Sequence, residues 1–176
     1  MKYIALLRGI NVGGNSKVEM PKLKKSFEDL GFTDVKTYIN SGNVIFSSSQ
    51  NDIKKICLSI EKGIEKEFKL SVPVLVIAEA KLKNIVNEIP EVWQNNSAMK
   101  CDVMFLWDEV DLPETMDLLS LNKDLEHFKY VPGAIIWRID RDKVTKSKVL
   151  KMIGTDIYKK MTTRNCNTAR KLLSLC

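Results

Sequence analysis

Lys2–Leu7 is a short apolar run that stops at Arg8, the pattern of a buried strand. A glycine- and asparagine-rich stretch, Gly9–Lys17, follows. Met20, Leu23, Phe27 and Leu30 then recur on one face of a helix, with Pro21 suited to its first turn and Gly31 to its stop. Val35–Ile39 and Val44–Phe46 are strand-like. They flank Asn40-Ser41-Gly42-Asn43, residues that tolerate positive φ, so the pair predicts a hairpin. Ile53, Ile56, Cys57, Ile60, Ile64 and Phe68 predict a second helix. Val74–Ile77 predicts a strand that Pro73 assigns to a sheet edge or a strand start. Strand, helix, strand, strand, helix, strand is the split βαβ, or ferredoxin-like, unit. Its first and third strands are central and its fourth is an edge.

The second half follows a similar order. Leu82, Ile85, Val86 and Ile89 predict a helix that ends before Pro90, and Glu91–Lys100 reads as a connector. Val103–Trp107 is a predicted strand, and Pro113 opens a short helix through Leu119. Leu125–Tyr130 and Ala134–Ile139 are strands around Val131-Pro132-Gly133, and Lys146–Ile153 is helical up to Gly154. No final strand is evident. Two helical stretches, Asp156–Met161 and Arg164–Leu175, take its place. The predicted fold class is α+β: two ferredoxin-like subdomains, the second degenerate, with extra C-terminal helices. The expected divisions are residues 1–78, a helix and connector over 79–100, and 101–176. No sequence repeat links the halves, so their likeness is architectural.

The chain has 176 residues. Area scaling gives ~29,000 Å² unfolded and ~8,700 Å² folded, enough burial for a core without disulfides or metal. Apolar residues are 44%, charged residues 28%, and Gly plus Pro only 13, which excludes collagen, long disordered tracts and disulfide scaffolds. The longest apolar run, Val72–Ala78, falls far short of the roughly 20 residues a bilayer span needs. Ile4–Leu7 is too short for a signal-peptide core. A cytoplasmic location and no membrane partner are therefore expected. Cys57, Cys101, Cys166 and Cys176 form no Cys-x-x-Cys, and His127 is the one histidine, so no metal site is expected and free thiols fit a reducing compartment.

The net charge of +6 is unevenly spread. Met1–Ala78 carries 12 basic and 8 acidic residues, Glu79–Asp140 carries 6 and 12, and Arg141–Cys176 carries 10 and 2. A basic tail attracts phosphates, nucleic acid or an acidic partner, although charge runs are more often solvated faces.

Gly9–Ser16 almost matches the phosphate-binding pattern G-x-x-x-x-G-K-[ST], but Asn15 replaces its lysine and the helix begins near Pro21. A nucleoside triphosphatase of that class is excluded. The loop still suits an anion, because glycines let backbone N–H groups approach it and Arg8 and Lys17 add charge. The competing reading is a tight loop whose asparagines satisfy their own backbone. Thr163 is a candidate N-cap for the last helix, where Arg164, Asn165 and Thr168 could hold a phosphate or carboxylate. The competing reading is ordinary capping, with Cys166, Ala169, Leu172 and Leu173 packing the helix inward. Ser41-Gly42-Asn43 and three Ser-x-x-Lys matches, at Ser59, Ser97 and Ser120, suggest penicillin-recognising serine enzymes. Their order is wrong and no Lys-Thr-Gly exists, so that reading is dismissed. The strands lack the aromatic, basic segments of an RNA recognition motif.

Leu6–Asn15 and Thr37–Phe46, with Thr163-Arg164-Asn165 and Thr168, closely resemble the bacterial family known as domain of unknown function 1697. The resemblance spans nearly the whole chain. It implies a cytoplasmic α+β protein with ferredoxin-like subdomains and brings no activity, substrate or cofactor. The motif carries over onto Arg8, Gly9, Asn11, Gly13, Gly14, Ser41, Gly42, Asn43, Arg164, Asn165 and Thr168. The family often has an aromatic residue where this chain has Cys166.

The leading expectation is a protein that binds an anionic ligand, phosphorylated or nucleotide or nucleic acid, without a cofactor. The expected site comprises Arg8, Gly9, Asn11, Gly13, Gly14, Asn15, Lys17, Ser41, Asn43, Arg164, Asn165 and Thr168. Topology places the loop after the first strand and the hairpin turn at one sheet end. One alternative is a metal-independent enzyme on a phosphoester or acyl substrate, which lacks a general base. The other is an interaction module that self-associates through its edge strand.

Overall fold

The apolar run at the start of the chain forms β1 (Lys2–Leu7) in the computed structural model, which describes residues 1–13, 16–119 and 122–176. The chain divides into two compact units, Met1–Ala80 with Ser174–Cys176, and Lys81–Leu173.

In the first unit β1 is followed by α1 (Met20–Asp29), β2 (Thr33–Tyr38), β3 (Asn43–Ser47), α2 (Ile53–Phe68) and β4 (Val74–Ala78). The sheet order is β2-β3-β1-β4 and every pairing is antiparallel. As expected, the first and third strands are central, and the strand behind Pro73 is an edge. Tyr3, Ala5 and Leu7 point to one face of β1 and pack with Leu23 and Phe27 of α1 and Ile56, Ile60 and Ile64 of α2. Ile4 and Leu6, on the other face, are equally buried, so β1 is covered on both sides, in keeping with its continuous apolar run. Phe46 is the aromatic centre of this core, 4.6 Å from Phe32 and edge-on to Phe27 at 5.4 Å between ring centroids. Asp52 caps α2 by accepting from the Lys54 and Lys55 N–H groups at 3.0 and 3.2 Å.

The second unit has the same strand order. After α3 (Glu79–Asn87) come β5 (Met99–Leu106), α4 (Thr115–Leu118), β6 (Glu126–Val131) and β7 (Ala134–Asp140). α5 (Asp156–Lys159), β8 (Met161–Asn165) and α6 (Cys166–Leu175) complete it. The antiparallel sheet runs β6-β7-β5-β8. The missing final strand is therefore present as β8. Its sequence, Met-Thr-Thr-Arg-Asn, is too short and polar to read as one. It forms because Met161–Asn165 pair along β5, and β-branched threonines fit that position.

A second correction concerns Lys146–Ile153. In place of one α-helix there are two 3₁₀ segments, Arg141–Lys146 and Val149–Met152, divided at Ser147. The cause is Glu126, whose carboxylate is 3% exposed. It accepts from the Ser147 hydroxyl and from the Asn122 N–H at 2.9 Å. Ser147 Oγ in turn accepts from the Val149 N–H at 3.1 Å. The break at Ser147 brings its hydroxyl to the buried carboxylate, which is thereby satisfied from both sides. Above this clasp Trp137, Met104, Ile135, Val149 and Met152 form the core of that face.

Two stability predictions follow from the packing. Gly42 has φ 74°, and a Cβ there would lie 2.7 Å from Leu7 Cβ and 2.8 Å from Ile10 Cδ1. Gly42→Ala is expected to destabilise by about 2–4 kcal/mol, a left-handed penalty plus overpacking. Gly9, at φ 74° with nothing within 4 Å of its would-be Cβ, incurs only the conformational penalty. Gly9→Ala should therefore lose about 1–2 kcal/mol. Denaturant unfolding checks the order, and equal losses would contradict it. Glu126→Ala should destabilise by about 3 kcal/mol, since it strands buried donors. A loss below about 1 kcal/mol in the same assay would remove Glu126 from this role.

Candidate functional site

The loop after β1 is built on left-handed backbone: Gly9, Asn11, Gly13 and Ser16 have φ of 74°, 54°, 62° and 53°. The Asn11 N–H donates to Ser16 O at 3.1 Å. Its side chain then acts like a short piece of backbone. Asn11 Nδ2 donates to Val18 O at 2.9 Å, and Asn11 Oδ1 accepts from the Val18 N–H at 2.9 Å. The same Nδ2 reaches Asn40 O in the hairpin turn at 2.8 Å. The Leu7 N–H donates to Gly42 O at 2.8 Å. The loop and the hairpin turn thus meet at one end of the sheet.

The other predicted residues of this unit divide by what occupies them. Asn43 is fully buried, and its Nδ2 donates to Tyr38 O and Ser41 Oγ, both at 3.0 Å, closing the turn. Arg8 is half-buried, and its backbone N–H extends the pairing to Pro73 O at 3.0 Å. Gly9, Gly13 and Lys17 are exposed. Gly14 and Asn15 lie outside the described residues, as does Ser120. Beside the loop is an open depression of about 500 Å³ lined by Asn11, Lys17, Val18, Glu19, Met20, Pro21 and Asn40. Glu19 is engaged by Lys22 at 3.2 Å. Lys17 has no ion-pair or hydrogen-bond partner among the described residues.

Arg164, Asn165 and Thr168 belong to the second unit. Arg164 lies in β8 opposite Val103 and is 7% exposed. Its Nη1 donates to Thr162 Oγ1 at 3.0 Å and to Thr163 O at 2.8 Å. Burial pulls its guanidinium down to about 10, which leaves it protonated at neutral pH. Thr163 is a strand residue opposite Met104 and not the helix cap. Asn165 takes that role, its Oδ1 accepting from the Thr168 N–H at 2.8 Å.

At the same junction lies a group that sequence reasoning missed. Cys166, the first residue of α6, is buried. Its Sγ lies 3.4 Å from Asn167 Oδ1 and 3.7 Å from both Arg170 Nη1 and Trp93 O. Arg170 also donates to Trp93 O at 2.9 Å and Pro90 O at 3.1 Å, and Asn167 Nδ2 to Asn95 O at 2.9 Å. The first turns of α6 thus clamp the connector after α3. An open cavity of about 580 Å³ borders them, lined by Val86, Asn87, Ile89, Glu91, Gln94, Asn167 and Arg170. Hydrogen bonding with the neighbouring Cys101 thiol, then Arg170 and the Asn167 backbone N–H, hold Cys166 down at about 7 against the opposing effects of burial and Asp102. The shared hydrogen bond and burial push Cys101 up. Cysteine spacing alone could not reveal this, because the pairing depends on β8.

Among the described residues, no group of three or more His, Cys, Asp or Glu side chains could hold a metal ion. No helix among them is long and apolar enough to cross a membrane.

Comparison with known proteins agrees with this architecture. The solved structure of the conserved bacterial protein SP0830 from Streptococcus pneumoniae matches with a TM-score of 0.84 at 24% identity. The match covers 99% of this chain and 97% of that one, and at this identity it establishes the fold alone. No curated protein matches the chain. The family described as "Protein of unknown function (DUF1697)" matches residues 1–136, which include both glycine-bearing turns and the sheet end they share. The chain belongs to the DUF1697 family.

Proposed function

We propose that this protein binds a small phosphorylated ligand, such as a nucleotide or sugar phosphate, in the depression beside the β1–α1 loop, with Lys17 as the anchoring cation. The observation that carries the reading is the state of the charges there. Lys17 is exposed and unpaired among the described residues, while the neighbouring carboxylate of Glu19 is already held by Lys22. A phosphate would supply the partner that Lys17 lacks among the described residues. The volume of about 500 Å³ suits a ligand of nucleotide size. Asn11 and Asn43 hold the walls in this reading and do not contact ligand, because their amides are spent on backbone and turn.

Thermal unfolding tests it with inorganic phosphate, common nucleotides, sugar phosphates and short RNA and DNA, each at low and high salt. A ligand at 100 times its Kd stabilises by about 2.7 kcal/mol, a melting shift of roughly 5–10 °C at this size. The expected result is such a shift with one class of small phosphorylated compound, surviving salt and lost in Lys17→Ala. Shifts retained by Lys17→Ala, or none with any small anion, would overturn the reading. A response only to polymers, lost at high salt, would replace it with non-specific nucleic-acid binding through the basic C-terminal stretch.

A further inference from the structure

The β5–β8 register places Asp102 opposite Asn165 and Val103 opposite Arg164. Cys101 and Cys166 flank that last pair of the ladder, one residue beyond it on each chain, Cys166 being the first residue of α6. Opposed residues in antiparallel strands have Cα atoms about 4.5–5.5 Å apart. A disulfide spans about 4.4–6.8 Å between Cα atoms. The two thiols also interact, each acting on the ionisation of the other. Both are free cysteines.

We propose that Cys101 and Cys166 are a redox-active thiol pair, Cys166 attacking and Cys101 resolving, which a hydroperoxide closes into a disulfide. The division of roles follows from the surroundings. Cys166 starts a ten-residue helix, whose dipole favours a thiolate there, and Arg170 Nη1 lies 3.7 Å from its sulfur. Cys101 sits within the central strand of the sheet and keeps its proton. Cys166 is buried, yet Asn167 and Arg170, which touch its Sγ, line the open cavity beside α3. A small hydroperoxide in that cavity reaches this sulfur when the Asn167 or Arg170 side chain moves aside.

The chemistry balances with hydrogen peroxide as the two-electron oxidant. The Cys166 thiolate attacks one peroxide oxygen, the O–O bond breaks, and hydroxide leaves, giving the sulfenic acid. Cys101 sulfur then attacks Cys166 sulfur. The S–S bond forms, the S–O bond breaks, and the displaced hydroxide leaves as water with the Cys101 proton. The new bond ties the first turn of α6 to β5 and removes the thiolate beside Arg170, so the cavity wall differs between the two redox states.

The test uses the full chain carrying Cys57→Ser and Cys176→Ser, which removes the two half-buried thiols of the first unit. The folded protein is treated with hydrogen peroxide, alkylated with iodoacetamide, then unfolded and alkylated again. The expected product has lost the mass of two hydrogens, takes up no alkyl group, yields one peptide joining Cys101 to Cys166, and is restored by dithiothreitol. The folded chain should close at least about tenfold faster than the same chain in urea, because the thiolate and its partner are preset. Adding Cys101→Ser should leave a sulfenic acid on Cys166 that dimedone traps. Two alkylatable thiols after peroxide, equal rates in buffer and urea, or sulfenic acid trapped at Cys101 in a Cys166→Ser chain would each overturn the proposal. The cross-link itself is read on a chain that retains both cysteines, so a poorly folding variant does not blunt the test.

Discussion

Each unit depends on its first strand, one of two inner strands that must hydrogen-bond on both sides. β1 pairs with β3 and β4, and β5 pairs with β7 and β8, all antiparallel. An inner strand leaves no backbone donor to water, so its neighbours must arrive in register or the buried N–H and C=O groups go unpaired. In the first unit this requirement places the loop leaving β1 and the turn entering β3 at the same sheet end. Asn11 then joins them, reaching the Asn40 carbonyl while clasping Val18. In the second unit it brings the end of β8, and with it the start of α6, alongside Cys101.

Much of this was legible in the chain itself, and the exceptions have local causes. The first unit reads well because its apolar residues follow one period at a time: continuous in β1 and β4, helical in α1 and α2. Gly42 marks the hairpin because no other residue fits beside Leu7 and Ile10 at positive φ. β8 escapes because Met161–Asn165 has one strongly apolar residue and becomes a strand only through its partner. Ser147 ends the predicted helix through a bond to Glu126, 21 residues earlier, which no local propensity encodes. Asn165, rather than Thr163, caps α6 for the same reason: the threonines are already committed to the ladder.

The expected site divides along similar lines. A polar motif in a loop has two fates, holding the loop or holding a ligand, and residue type does not distinguish them. Hydrogen-bond occupancy does. Asn11 and Asn43 have the amide chemistry of ligand contacts but spend it on carbonyls and the Ser41 hydroxyl, as the conformational reading of the loop anticipates. Lys17 differs, because a flexible ammonium at the loop's exposed end holds nothing in place among the described residues.

The two proposed chemistries therefore tolerate change differently. The depression in the first unit relies on a charge at the end of a long side chain, and small movements of the loop leave that charge usable. The thiol pair has no such latitude. Strand side chains alternate between faces, so a slip of one residue between β5 and β8 would turn Cys101 away from Cys166 and toward the opposite core. That slip is opposed by the same burial that makes the unit stable: Val103 and Phe105 on one face, and Met104 and Leu106 on the other, are all buried. The reactive geometry of Cys166 is thus a consequence of core packing several residues away, and any change that loosens the β5–β8 register acts on the sulfur chemistry without touching either cysteine.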